Sequence, residues 1–134
     1  MPIEPGLIHE MNITVEESDT ARASGGETLP AVLSTPKMIG YLERTSHRGI
    51  LPFLEDGQSS VGVTVNVKHM AATPVGMQVR FRAELLTVEK RLLKFKVEAW
   101  DEVEKIAEGE HERFIIDTSR FEERLAKKAE QIKK

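Results

Sequence analysis

From Ser60 to Ile116 the chain runs through successive stretches of alternating apolar and polar residues, broken only by short interruptions. Alternate side chains of an extended strand share one face, so this pattern predicts a half-buried sheet. The first stretch covers about Ser60 to His69, with valine at 61, 63, 65 and 67 and His69 on the same parity. The second places Val75, Met77, Val79, Phe81, Ala83 and Leu85 inward, and the third Leu93, Phe95, Val97 and Ala99. Glu89-Lys90-Arg91 turns the chain between these two, Asp101 and Glu102 mark the next turn, and the last stretch spans about Lys105 to Ile116. Short connections predict antiparallel pairing between consecutive strands.

Two further elements precede these strands. Leu7, Met11, Ile13 and Val15 alternate with polar residues and read as an initial strand. Residues 17–30 are polar and glycine-bearing and read as a loop beside a site. A helix follows, with Thr35 as N-cap, Pro36 at the first helical position and Gly49 as its stop. Apolar residues on most of its sides predict a largely buried helix. After Asp117, Ser119-x-x-Glu122 reads as a capping box opening a terminal helix over 118–134, with Phe121, Leu125, Ala129 and Ile132 on one stripe. One strand, one long helix, a four-strand meander and a terminal helix make a single α+β domain over residues 1–134. The order is that of the hot-dog fold, an antiparallel sheet wrapped around a central helix. One helix covers one face of such a sheet, so the other face or an edge needs a partner, and an edge-to-edge homodimer is expected.

Composition narrows the function. The net charge is -3 and no basic block interleaves with aromatics, which argues against nucleic-acid binding. The chain has no cysteine, so disulfides, thiol nucleophiles and cysteine-ligated metals are excluded. The segment MPIEPGLIHEMNIT lacks the features of a signal peptide, and no stretch approaches a membrane span, so a cytoplasmic protein is expected. The four histidines (9, 47, 69 and 111) are scattered without metal-ligand spacing.

Five residues stand out as carriers of chemistry. His69 closes an apolar strand face and reads either as a satisfied strand-end histidine or as an acid/base group titrating near neutrality. Glu43 reads either as a carboxylate on a solvated helix patch or as one held to activate water or attack a carbonyl. Thr35 needs no role beyond capping, yet a helix start facing a cavity also binds polar groups. Gly62, opposite the valines in strict alternation, is either a bulge or close-packing point, or a bare backbone N–H for a substrate carbonyl. Arg113 and His111 share parity with Ala107 and Gly109, small residues that leave room for a ligand, and an arginine there is either merely solvated or suits a phosphate.

Taken together, VLSTPKMIGYLERTS, GVTVNVKHMAATPVG and GEHERFIID resemble the hot-dog thioesterases of the fluoroacetyl-CoA thioesterase type. The similarity runs from the first strand to Asp117, and the strand-histidine-AATP-glycine segment is its most specific part. The resemblance implies hydrolysis of an acyl-CoA thioester to a carboxylic acid and free coenzyme A. It implies Thr35, Glu43 and His69 as the catalytic set, Gly62 near the thioester and Arg113 near the active site. It further implies a homodimer with the site near the subunit interface, and no metal or tightly bound cofactor. A tetramer of the same units is compatible with it. Where the fluoroacetyl-specific enzyme carries a phenylalanine-bearing lid, this chain has Ser24, Gly25, Gly26 and Leu29, so halogen selectivity is not implied. A non-catalytic acyl-CoA-binding module is the alternative reading.

Overall fold

The computed structural model describes residues 2–132. Met1 and the last two lysines of the expected terminal helix lie outside the described residues. In chain order the elements are β1 (Ile8–Thr14), a 3-10 turn (Glu17–Asp19), α1 (Ala21–Gly25), α2 (Thr35–Ile50), a second 3-10 turn (Leu51–Phe53), β2 (Gln58–His69), β3 (Gln78–Glu89), β4 (Leu92–Trp100), β5 (Lys105–Asp117) and α3 (Thr118–Glu130). The strands form one antiparallel sheet in the order β1-β3-β4-β5-β2. With α2 lying across the sheet, this is the hot-dog arrangement.

The meander holds only for β3, β4 and β5. β1 occupies the free side of β3, pairing Met11 with Phe81, so β2 crosses to the far edge and pairs with β5. Among the described residues the other side of β2 has no strand neighbour. Val79, Phe81, Ala83 and Leu85 of β3 and Leu93, Phe95, Val97 and Ala99 of β4 are buried on one face, as their parity predicts. β3 begins later than its apolar pattern: Val75 is exposed, and Gly76 turns the chain at φ +95°.

Helix α2 buries a single stripe, Met38, Leu42, Thr45, Ser46 and Ile50, rather than most of its surface. The buried hydroxyls of Thr45 and Ser46 donate to their own helix, at Tyr41 O (2.7 Å) and Leu42 O (2.9 Å), which removes the cost of burying them. Gly49 does not stop the helix. A Cβ there would stand 2.9 Å from His9 Cβ, so the glycine lets α2 press against β1. At α3, Asp117 precedes the first helical residue and no side chain caps the start, so the Ser119–Glu122 capping box is not formed. No residue of α3 is buried, and Ile132 lies beyond its end. The 17–30 segment is more than loop. Tyr41 Oη donates to Asp19 Oδ1 at 2.6 Å, and the Ser34 N–H donates to Asp19 O, tying it to the start of α2. Burial, with Asp19 adding to it, pushes the Tyr41 phenol up to about 12. Among the described residues no helix is long and apolar enough to cross a membrane.

Candidate active site

Two adjacent hydroxyls open α2, and the structure assigns them different work. Ser34, not Thr35, is the N-cap: its Oγ accepts from the Lys37 N–H at 3.2 Å, with Pro36 inside the first turn. Thr35 is thereby released from capping, and its Oγ1 lies 2.7 Å from His69 Nδ1. His69 ends β2, and its Nε2 is sealed from solvent without a hydrogen-bond partner. Burial holds the imidazole below its ordinary value, and the Ala71 backbone opposes part of that shift without forming a well-aligned hydrogen bond. The pair lines an open cavity of about 300 Å³ with Val32, Leu33, Met70 and Ala72.

A bulge in β2 builds the second half of the site. The β2–β5 register pairs Gly62 with Arg113 and then Thr64 with Glu112, so Val63 is an extra residue. One inserted residue reverses the facing of everything after it. Ser60 and Gly62 before the bulge therefore share the helix-facing side with Val65, Val67 and His69 after it. The expected single face of valines is split. Val61 and Val63 turn to the outer side, beside Phe114 and Phe121. Gly62, expected opposite the valines, lies on the same side as His69.

Glu43 and Arg113 meet over that glycine. A Cβ on Gly62 would stand 2.5 Å from Glu43 Oε2, 3.4 Å from His111 Cε1 and 3.6 Å from Arg113 Nη1. Glu43 Oε2 is 3.7 Å from Arg113 Nη1, and the carboxylate keeps 39% exposure against 9% for the arginine side chain. Arg113 Nε donates to Ser60 Oγ (2.7 Å) and Nη2 to Ser60 O (3.0 Å). Burial lowers the guanidinium from its ordinary value, and Glu43 pulls it back. The room expected beside Ala107 and Gly109 is filled. A Cβ at Gly109 would collide with the Asn66 carbonyl and with Val67, so that glycine admits the β2 backbone and not a ligand.

The five candidate residues thus fall into two clusters on one side of the sheet. Thr35 joins His69, and Glu43 joins Gly62 and Arg113. The eight residues from Thr35 to Glu43 separate the clusters by about 12 Å along α2. Ile39 and Val65 lie between them, and Val65 stays 41% exposed, so the gap is a partly open apolar strip rather than filled core. Within one protomer the imidazole and the carboxylate do not converge. Sequence reasoning missed Ser60 and His47, whose Nδ1 is 2.7 Å from Ser60 Oγ. The available signal was spacing: His47 lies four residues after Glu43, on the same helix face. Among the described residues no group of three or more His, Asp or Glu is placed to hold a metal ion.

Fold and clusters together define a domain of the hot-dog thioesterase class. The fluoroacetyl-CoA-specific thioesterase family matches residues 15–119, and the chain belongs to that family. It is 40% identical over 99 residues to the fluoroacetyl-CoA thioesterase of Streptantibioticus cattleyicolor, covering 74% of this chain and 71% of that one. A solved structure of a fluoroacetyl-CoA thioesterase superposes with a TM-score of 0.90 at 33% identity, covering 96% of this chain and 98% of the other. A variant of the fluoroacetyl-CoA-specific enzyme in complex with fluoroacetate and CoA superposes with a TM-score of 0.85 at 35% identity, covering 89% and 99%.

Proposed function

We propose that this protein hydrolyses an acyl-CoA thioester to a carboxylic acid and free coenzyme A, with Thr35, Glu43 and His69 as its catalytic set. The observation that carries this is the partly exposed Glu43 carboxylate held directly over the bare backbone of Gly62, its Oε2 2.5 Å from where a Cβ would stand. Glu43 acts as nucleophile or as base for water, and the developing oxyanion is met by the Gly62 backbone with Arg113 close by. Water supplies the acid's new oxygen, by direct attack or by hydrolysing the mixed anhydride that Glu43 forms as nucleophile. The C–S bond breaks, and His69 relays the proton that the water gives up to the leaving thiolate. Thr35 orients the imidazole through Nδ1.

The reading includes a homodimer. β2 is a twelve-residue strand with one side unpaired, and Val63 and Val65 on it are exposed. Pairing two such strands antiparallel would bring the His69 end of one beside the Gly62 end of the other, which answers the separation of the clusters within a protomer. A cytoplasmic location goes with a coenzyme A thioester as substrate, and no metal or bound cofactor has a part in these steps.

Thiol release over short, branched, aromatic and long acyl-CoAs tests the proposal, run beside Glu43→Ala and His69→Ala. Wild type should turn over at least one class, and Glu43→Ala should abolish turnover while remaining folded. Full rates from Glu43→Ala on every hydrolysed substrate would remove Glu43 from the reaction. Tight acyl-CoA binding without thiol release would make the protein a binding module.

A further inference from the structure

We propose that Ser60 and His111 are positioning residues for the hydrolysis: they fix the Arg113 guanidinium beside Glu43, and His111 does so as a neutral hydrogen-bond acceptor. The inference rests on the reading of Glu43 as the reacting carboxylate.

Hydrogen-bond chemistry decides the direction of each contact. His111 Nδ1 lies 2.8 Å from the Thr64 carbonyl oxygen. A carbonyl only accepts, so the proton is on Nδ1. His111 Nε2 lies 3.2 Å from Arg113 Nη1. A guanidinium only donates, so Nε2 is the bare acceptor. The Phe95 ring, stacked at 6.2 Å and 26°, fixes the imidazole plane from β4. On the other side of the guanidinium, Ser60 takes Nε on its hydroxyl and Nη2 on its carbonyl. The same Ser60 Oγ lies 2.7 Å from His47 Nδ1, which holds the hydroxyl from the helix side. Arg113 thus commits one donor on each of its three nitrogens, and its remaining Nη1 hydrogen is free on the side of Glu43.

A second proton on His111 would set a donor against the guanidinium in a buried site, and the pair would have to part. The charged groups facing His111 are Arg113 of β5 and Glu43 of α2, while Glu112, its neighbour in β5, acts from the opposite sheet face, where it accepts from Thr64 Oγ1. Burial, with Arg113 adding to it, outweighs the Thr64 carbonyl and the two carboxylates and keeps the imidazole below its ordinary value. His47 faces Arg113 and is lowered for the same two reasons. Arg113, buried and held on three sides, is a template for the carboxylate rather than a surface charge.

The test uses the full chain. Nitrogen-15 NMR of the wild type at about pH 7 should show His111 protonated at Nδ1 and bare at Nε2, independently of any activity. Ser60→Ala and His111→Phe should each lower kcat about tenfold with KM changed less than about twofold, since they disturb the reacting geometry and not substrate binding. His111→Gln, which restores an acceptor oxygen, should recover most of the loss. The proposal is overturned if His111 is doubly protonated or carries its proton on Nε2, or if Ser60→Ala keeps the wild-type kcat. It is also overturned if His111→Gln is no better than His111→Phe. Should His111→Phe fail to fold, Ser60→Ala and the NMR assignment still decide. An inactive Glu43→Gln beside a fully active Ser60→Ala overturns this inference alone. A fully active Glu43→Gln overturns the catalytic reading and this one with it.

Discussion

Replacing Gly62 with alanine separates the chemistry of the site from the stability of the fold. The added Cβ would lie 2.5 Å from Glu43 Oε2, against roughly 3.4 Å for an ordinary contact between such atoms. The carboxylate must therefore retreat by about 1 Å, and being 39% exposed at the end of a flexible side chain it can do so without moving backbone. His111 Cε1 and Arg113 Nη1, at 3.4 and 3.6 Å, need no adjustment. Gly62 is not among the positive-φ glycines, so alanine is not strained there and should stabilise by about 0.4–1 kcal/mol through the unfolded chain. A displacement of about 1 Å in a reacting group costs on the order of 100-fold in rate, or about 2.7 kcal/mol of transition-state energy. Gly62→Ala should accordingly lose about two orders of magnitude in kcat for thiol release while its melting temperature holds or rises. Wild-type kcat in a variant of unchanged stability would refute the placement of Glu43 in the chemistry. Lost activity with a collapsed melting temperature would refute the packing argument.

Other expectations follow from the same geometry. Ser34→Ala removes the α2 cap and should cost about 1 kcal/mol in urea denaturation with turnover retained, whereas Thr35→Ala should leave stability nearly unchanged and reduce turnover. The opposite pattern would return the capping role to Thr35. His47, His69 and His111 are all held below 6.5, chiefly by burial. The unfolded chain then binds protons more readily, so their contribution to stability is complete above that value and is lost as pH falls below it. Melting temperatures should therefore decline from about pH 7 to 5, and the decline should be shallower in His111→Phe. Sedimentation should give twice the 15.1 kDa chain mass for the wild type, and Val65→Asp on the unpaired strand should shift it toward monomer. A wild-type monomer at assay concentration would remove the paired-edge arrangement.

Periodicity was enough for much of this architecture. Side chains in a strand repeat every two residues, so Phe81 and Leu85, or Phe95 and Val97, could be assigned to the core face without coordinates. The helix at Thr35 and the order of elements were equally local. Motif resemblance singled out Thr35, Glu43 and His69, but only by residue type and position. Other features depend on contacts between distant parts of the chain, which no local pattern encodes. Ser34 and Thr35 are both good caps, and what distinguishes them is that an imidazole from the far end of β2 waits for Thr35. The pairing of β2 with β5 follows from β1 having taken the side of β3. The bulge at Val63 shows the limit most clearly. An unbroken alternation assigns Gly62 to the wrong face, and only the register against β5 reveals the extra residue. That single residue carries Gly62 under Glu43 and keeps His69 on the same side, so the residues of the site are written in the sequence while their arrangement is decided by strand pairing.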